Sequence, residues 1–292
     1  MLIKSHFYPG EEWMYIKIYS NRFNCHNILI PKIGKLTNYL MENSYIDKWF
    51  YIFFSEPESS IRLRYHLIYE SFFEKVLKLF NGTIKNDIEN SVIYRYVIDT
   101  YHRELDRYGH QDILFAEDVF FIDSCCSIDF LSKRHLYNGN ANLLWIYTLQ
   151  NVHNYILTFL DNDNKRLEFV NRMNDTFLKE FYPNKNNLIK LNKKYREANE
   201  IMKTVGYTQN FKEIFSIIQK RNKNMNIIID NFQKNNSKTI ENKLSDFIHM
   251  SIIRIFHNNR FYEMITYNFL TRLYQSHVSR YGELKQSLFE IE

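Results

Sequence analysis

A chain of 292 residues with 45% hydrophobic and 24% charged residues is long enough to bury a sizeable core and is too apolar to be disordered. A net charge of +5 is spread along the chain, which leaves no arm resembling a nucleic-acid tail and argues against a direct nucleic-acid partner. The 7 Gly and 4 Pro are few and argue against long flexible linkers, while the 24 Phe and 22 Tyr make the chain rich in aromatics.

Cys25, Cys125 and Cys126 are an odd set with no Cys-x-x-Cys spacing. That pattern fits a reduced, cytoplasmic protein. The N-terminus carries Lys4 and then polar residues, without an apolar signal core. No stretch approaches the ~20 apolar residues of a membrane span.

Trp13 to Tyr19 alternates and predicts a strand. Asn27 to Asn43 has helical apolar spacing, with Pro31 near its start. Lys48 to Ser55 predicts a strand apolar on both faces, and Glu56-Pro57-Glu58 a turn. Ser60 to Tyr69 predicts another strand, Glu70 to Phe80 a helix closed by Asn81-Gly82, and Ser91 to Tyr101 a fourth strand. The order βαββαβ is that of a ferredoxin-like fold.

The rest reads as helical: Asp112 to Phe130, the strongly apolar Asn142 to Leu160, Lys165 to Tyr182 ending at Pro183, Leu188 to Val205, Asn210 to Lys234, Thr239 to Phe256 and Arg260 to Tyr281. Lys220 to Asn226 and Gln233 to Lys238 are the most polar stretches and predict mobile excursions, and a short polar tail follows Tyr281. The expectation is an α+β chain forming a single domain over 1–292. A sheet-rich half (1–110) packs against a mostly helical half (111–292), with a site at their junction.

Two stretches concentrate charge. In Ile61-Arg62-Leu63-Arg64 the arginines alternate, so both point to one face of a strand. They want carboxylates, either Glu104 and Asp106 or those of a ligand. The second stretch directly follows a strand and packs six charged or aromatic polar groups, His102, Arg103, Glu104, Asp106, Arg107 and Tyr108, into seven residues before Gly109. There is no Gly-rich phosphate loop, no Gly-x-Ser-x-Gly elbow and no His-Glu-x-x-His helix. The ten His show no ligand spacing, so no cofactor and no metal are expected.

Several phrases, in order, resemble one family. They are Trp13 to Tyr19, Asp47 to Ile52, Glu56-Pro57 with Ile61 to Tyr65, and Tyr101 to Gly109. Glu117 to Phe120 with Asp123-Ser124, His249-Met250 with Arg254, and Glu263 complete the set. Together they resemble the thiopeptide-type bacteriocin biosynthesis domain, the C-terminal elimination domain of lantibiotic dehydratases. The resemblance covers nearly the whole chain.

It implies a lyase. A partner transfers glutamate from glutamyl-tRNA to Ser or Thr of a ribosomal precursor peptide, and this domain expels it to leave dehydroalanine or dehydrobutyrine. The family's functional positions fall on Arg64, Glu104, Arg107 and His249 as catalytic residues. Arg62, Tyr108 and Arg254 are expected to bind substrate. Three positions depart from the family pattern: Ser60, His110 and Ile253. Arg64 and Arg107 suit anions, and His249 suits proton transfer near neutral pH. Arg62 is the spare cation, with an ion pair to Glu104 or Asp106 as its structural alternative. Tyr108 suits an oxyanion or simple packing.

The expected partners are a precursor peptide and a separate glutamylation subunit, the chain being a stand-alone elimination subunit, and a homodimer is compatible. Two other functions fit the same residues: a cycloaddition enzyme forming the pyridine of thiopeptides, and a silent subunit that only binds the precursor.

Overall fold

The computed structural model describes residues 3–55, 57–133, 141–181, 184–235, 240–257 and 259–289. Glu56, Tyr182, Pro183, the stretch 236–239 and thus the first residue of the expected Thr239 helix lie outside the described residues. The chain forms two compact units: Met1–Ser132 with Ile253–Asn258, and Lys133–Ile252 with Asn259–Glu292. No helix among the described residues is long and apolar enough to cross a membrane.

The first unit opens with β1 (His6–Phe7) and β2 (Trp13–Ser20). Helix α1 (Arg22–Ile28) passes through a π-helical turn, Leu29–Ile33, into α2 (Gly34–Glu42). Strands β3 (Ile46–Phe54) and β4 (Ser60–Leu67) follow. Then come α3 (Phe73–Glu89), β5 (Ile93–Asp99), β6 (Tyr101–His102), the single turn α4 (Leu105–Tyr108) and α5 (Ile113–Ser132). The main sheet has the order β3-β4-β2-β5, and all its neighbours are antiparallel. That is the expected ferredoxin-like βαββαβ arrangement, with β4 inserted between the two strands of the first βαβ unit. Strands β1 and β6 form a separate two-stranded ladder.

One sheet face is the core. Met14, Ile16 and Ile18 of β2, Ile61, Leu63 and Tyr65 of β4, and Trp49, Tyr51 and Phe53 of β3 pack under α1, α2 and α3. The first helix begins five residues earlier than its apolar spacing predicted, because the Asn21 side chain accepts from the Asn24 N–H and caps it. Pro31 lies in the π-helical turn, since it cannot donate to the helical ladder. The expected stop at Asn81-Gly82 is overturned. Val76, Phe80 and Ile84 continue one buried stripe through Gly82, and one exposed glycine costs only about 1 kcal/mol in a helix. Asp87, two turns further on, is buried and paired with Lys32.

The unit boundary falls after Ser132 rather than near residue 110, because α5 packs along β3. Strand β3 is a sheet edge, and the outward backbone groups of Tyr51 are satisfied there. The Tyr51 N–H donates to Ser124 Oγ at 3.3 Å, and the Tyr51 carbonyl accepts from Arg254 Nε at 3.0 Å. A covered edge does not recruit a further strand.

The second unit holds α6 (Ala141–Phe159), α7 (Asp163–Phe181), α8 (Lys185–Val205) and α9 (Gln209–Asn235). It also holds the first part of α10 (Leu244–Phe256) and all of α11 (Arg260–Tyr281). Helix α6 is buried on every side from Ile146 to Ile156, and the polar Gln150, Asn151, His153 and Asn154 in that stretch are hydrogen-bonded. Two expectations fail here. Lys220 to Asn226 is no excursion but the middle of α9, where Asn222 Nδ2 donates to Asn154 Oδ1 at 2.6 Å. The tail is not a free polar end. Gln150 of α6 donates to the Gln286 carbonyl at 2.9 Å and accepts from the Leu288 N–H at 3.0 Å, while Leu288 and Phe289 are buried.

Candidate functional site

The second face of the sheet carries the arginine pair. Register places Arg64 between Tyr15 on β2 and Phe50 on β3, and Arg62 between Lys17 and Ile52. Both arginines share this face, as their alternation predicted. Arg64 is only 9% exposed. Its Cζ lies 4.3 Å from the centre of the Tyr15 ring, 5.1 Å from Phe50 and 5.3 Å from Tyr101. Among the described residues its Nε and Nη1 are buried without a hydrogen-bond partner. Arg62 stacks at 3.3 Å on the Phe54 ring, and its buried Nε is likewise without a partner. The structural alternative for Arg62, an ion pair to Glu104 or Asp106, is not made among the described residues, where Glu104 pairs with Arg107 instead.

A guanidinium removed from water and left without acceptors is costly. Aromatic faces offset part of that cost through cation–π attraction, and they leave the in-plane N–H donors free. Among the described residues the arrangement leaves buried guanidinium donors that lack an acceptor of their own.

Those walls are held from behind. The Tyr101 hydroxyl donates to Glu117 Oε1 at 3.0 Å. Arg103 grips the same carboxylate with two prongs, Nε and Nη2, each at 2.7 Å. Glu117 is 1% exposed, so this two-pronged pair lies in a dry interior. Burial, followed by the Glu117 charge, pushes the Tyr101 hydroxyl pKa well above its ordinary value, so it stays a neutral donor.

Three residues beyond Tyr101 the chain reaches Glu104 and the turn α4. Arg107 Nη1 lies 3.4 Å from Glu104 Oε2, and both side chains are largely open to solvent. Tyr108 is 2% exposed and meets Phe120 edge-on at 5.2 Å, which supports the packing alternative for it. Gly109 has φ +89°, a conformation that favours glycine and ends the turn.

Arg254 sits elsewhere in the first unit. It is 0% exposed, and its Nη1 bonds Asp123 Oδ2 at 2.8 Å while its Nε reaches Ser124 Oγ at 3.1 Å. Expected to bind substrate, it instead seals the β3 edge.

His249 belongs to the second unit. Its Nδ1 lies 2.7 Å from Glu263 Oε1 of α11, with side-chain exposures of 20% and 4%. A carboxylate only accepts, so Nδ1 carries a proton, and in the neutral tautomer that this contact selects the lone pair is on Nε2. The chemistry available is thus a fixed imidazole base in one unit and a desolvated guanidinium site in the other.

Sequence reasoning missed Tyr15, Lys17, Asp99 and Tyr101 as the surroundings of the arginines. Tyr15 and Lys17 stood out only as alternate residues of a strand, and the strand they oppose depends on register.

The profile of the family described as lantibiotic biosynthesis dehydratase C-term matches residues 13–274. The nisin biosynthesis protein NisB of Lactococcus lactis subsp. lactis is 27% identical over 278 residues, which is 92% of this chain and 26% of that protein. The tRNA-dependent lantibiotic dehydratase MibB from Microbispora sp. 107891 shares the fold, with a TM-score of 0.73 at 15% identity over 93% of this chain and 28% of that one. The pyridine synthase TbtD from thiomuracin biosynthesis also shares it, with a TM-score of 0.62 at 7% identity over 93% of this chain and 99% of that one. The chain thus spans about a quarter of the length of NisB and of MibB.

Proposed function

The chain belongs to the C-terminal family of lantibiotic biosynthesis dehydratases, and from that premise we propose that it is a lyase removing glutamate from glutamylated Ser or Thr of a precursor peptide. Hydroxide is a poor leaving group, and an ester turns it into a carboxylate that leaves readily. A base takes the proton from Cα, and the C–H electrons become the Cα–Cβ double bond. The Cβ–O bond breaks, and its electrons depart with the glutamate carboxylate. The proton passes to the base and then to solvent.

His249 is the proposed base, acting through Nε2 while Glu263 fixes its ring. Arg64 is the proposed anchor of the departing carboxylate, because its buried Nε and Nη1 have no acceptor among the described residues. That single observation carries the reading. Arg107 and Glu104 are proposed to engage the peptide at the turn after β6, and Arg62 to bind the rest of the glutamyl group. The glutamyl-transfer step is proposed to lie outside these residues.

A second reading is kept because the fold also matches the pyridine synthase over nearly all of that chain. Purified protein incubated with a peptide carrying a glutamyl ester separates the readings by mass. Elimination releases free glutamate and leaves a dehydro residue. Given a peptide with two dehydroalanines, cycloaddition would instead release the leader as a fragment. A silent binder changes no mass.

A further inference from the structure

Lys17 stands directly opposite Arg62 on the β2–β4 ladder, as Tyr15 stands opposite Arg64. Like charges directly opposite destabilise a sheet. Asp99, opposite Tyr15 on β5, bonds the Lys17 ammonium, and that hydrogen bond holds the Asp99 carboxyl below its ordinary range. Arg62 lies over the face of Phe54, and its buried Nε has no hydrogen-bond partner among the described residues. Among the described residues, Lys17, Arg62 and Arg64 therefore share one carboxylate, that of Asp99, which leaves two positive charges over on this strip.

Resting on the elimination reading, we propose that Lys17 is the residue that selects glutamate as the leaving acid. Lys17, with Arg62 opposite, binds the free carboxylate of the glutamyl group while Arg64 holds the carboxylate that leaves. The two surplus positive charges match the two carboxylates present when the ester breaks.

Spacing agrees. Positions 62 and 64 are two residues apart on one strand, a rise of about 6.6 Å. The carboxyl carbons of glutamate are joined through three carbons and span about 5 Å at about 1.5 Å per bond. Hydrogen bonds at each end take up the difference. Aspartate, one carbon shorter, would lose one of its ends. The Lys17 side chain is 22% exposed and so open to a ligand. Asp99 acts as a positioning residue that aims the ammonium across the strip.

Peptides bearing a glutamyl, glutaminyl or aspartyl ester on one Ser test this with purified protein. Wild type is expected to eliminate the glutamyl ester on the order of 10- to 100-fold faster in kcat/KM than the glutaminyl ester, the worth of one charged hydrogen bond. Lys17→Gln is expected to lose most of that preference by a raised KM for the glutamyl ester, with a much smaller rise for the glutaminyl ester. Lys17→Arg keeps the charge and keeps the preference. Lys17→Met supplies a second neutral variant if circular dichroism shows Lys17→Gln unfolded. A folded neutral variant with the wild-type preference overturns the assignment. Equal rates on glutamyl and glutaminyl esters in wild type overturn it too, and leave the elimination reading standing. If wild type eliminates none of the esters, the elimination reading fails and this subsite falls with it.

Discussion

His249 and Glu263 form a hydrogen-bonded pair at 2.7 Å in which the carboxylate is buried and the imidazole is partly open. In the proposed mechanism Glu263 acts through His249. Glu263→Gln is expected to lower the elimination kcat on the order of 10- to 1,000-fold with little change in KM, because the ring loses its fixed tautomer. In a His249→Ala background the same change should have no further effect. Steady-state kinetics on the two single variants and the double variant reads this out. Additive losses would show that Glu263 acts on something else.

Arg254 and Asp123 form an ion pair with 0% and 1% of the side chains exposed. Asp123→Ala leaves the arginine buried without its counter-charge and is expected to destabilise the protein by about 3–5 kcal/mol. Urea unfolding followed by circular dichroism measures the shift in midpoint. A change below about 0.5 kcal/mol, the usual size for an innocuous surface substitution, would contradict the account of the sealed β3 edge.

Acid should weaken the fold through two histidines. Burial holds His153 at a pKa of about 3, and burial with His26 and Arg22 nearby holds His257 at about 3. Unfolded histidine titrates near 6.5. Above that pH both states are neutral and nothing is lost. Below it the unfolded chain binds a proton that the folded one does not, so stability falls between pH 6.5 and 3. The loss is expected to reach about 2 kcal/mol per group by pH 5. Their imidazole NMR signals should stay those of the neutral ring at pH 5. Titration near 6.5 in the folded protein would refute this.

The proposed elimination needs charge stabilisation, a base and a good leaving group, all assigned to side chains and the ester. Dialysis against a chelator is therefore expected to leave the rate of glutamate release unchanged. A loss restored by one particular metal ion would contradict that division of roles.

Local signals served well where one element decided the outcome. Arg260–Tyr281 begins after Asn259, whose side chain caps it, and ends at Gly282 with φ +78°, so both ends were readable. The shared face of Arg62 and Arg64 followed from strand alternation alone. Where partners at long range decided, reading failed. The stop at Gly82 gave way to a stripe held by the sheet. Arg221 and Asn222 looked solvated, yet they are buried against α6. Leu288 and Phe289 looked like a tail, yet both are buried and Gln150 holds the Leu288 N–H and the Gln286 carbonyl. The opposition of Lys17 to Arg62 needs the register of β2 on β4, which neither strand states by itself. Arg254 shared a helix with His249 and was grouped with it, although its side chain is used on the sheet edge.

The most direct measurement of the central claim is free glutamate released from a glutamyl-ester peptide by wild type and by Arg64→Lys. Lysine keeps the charge but loses the planar fork that holds a carboxylate at two points. The account predicts dehydrated peptide and one glutamate per ester from wild type, and intact glutamyl esters accumulating with folded Arg64→Lys. Release by folded Arg64→Lys at the wild-type rate would contradict it.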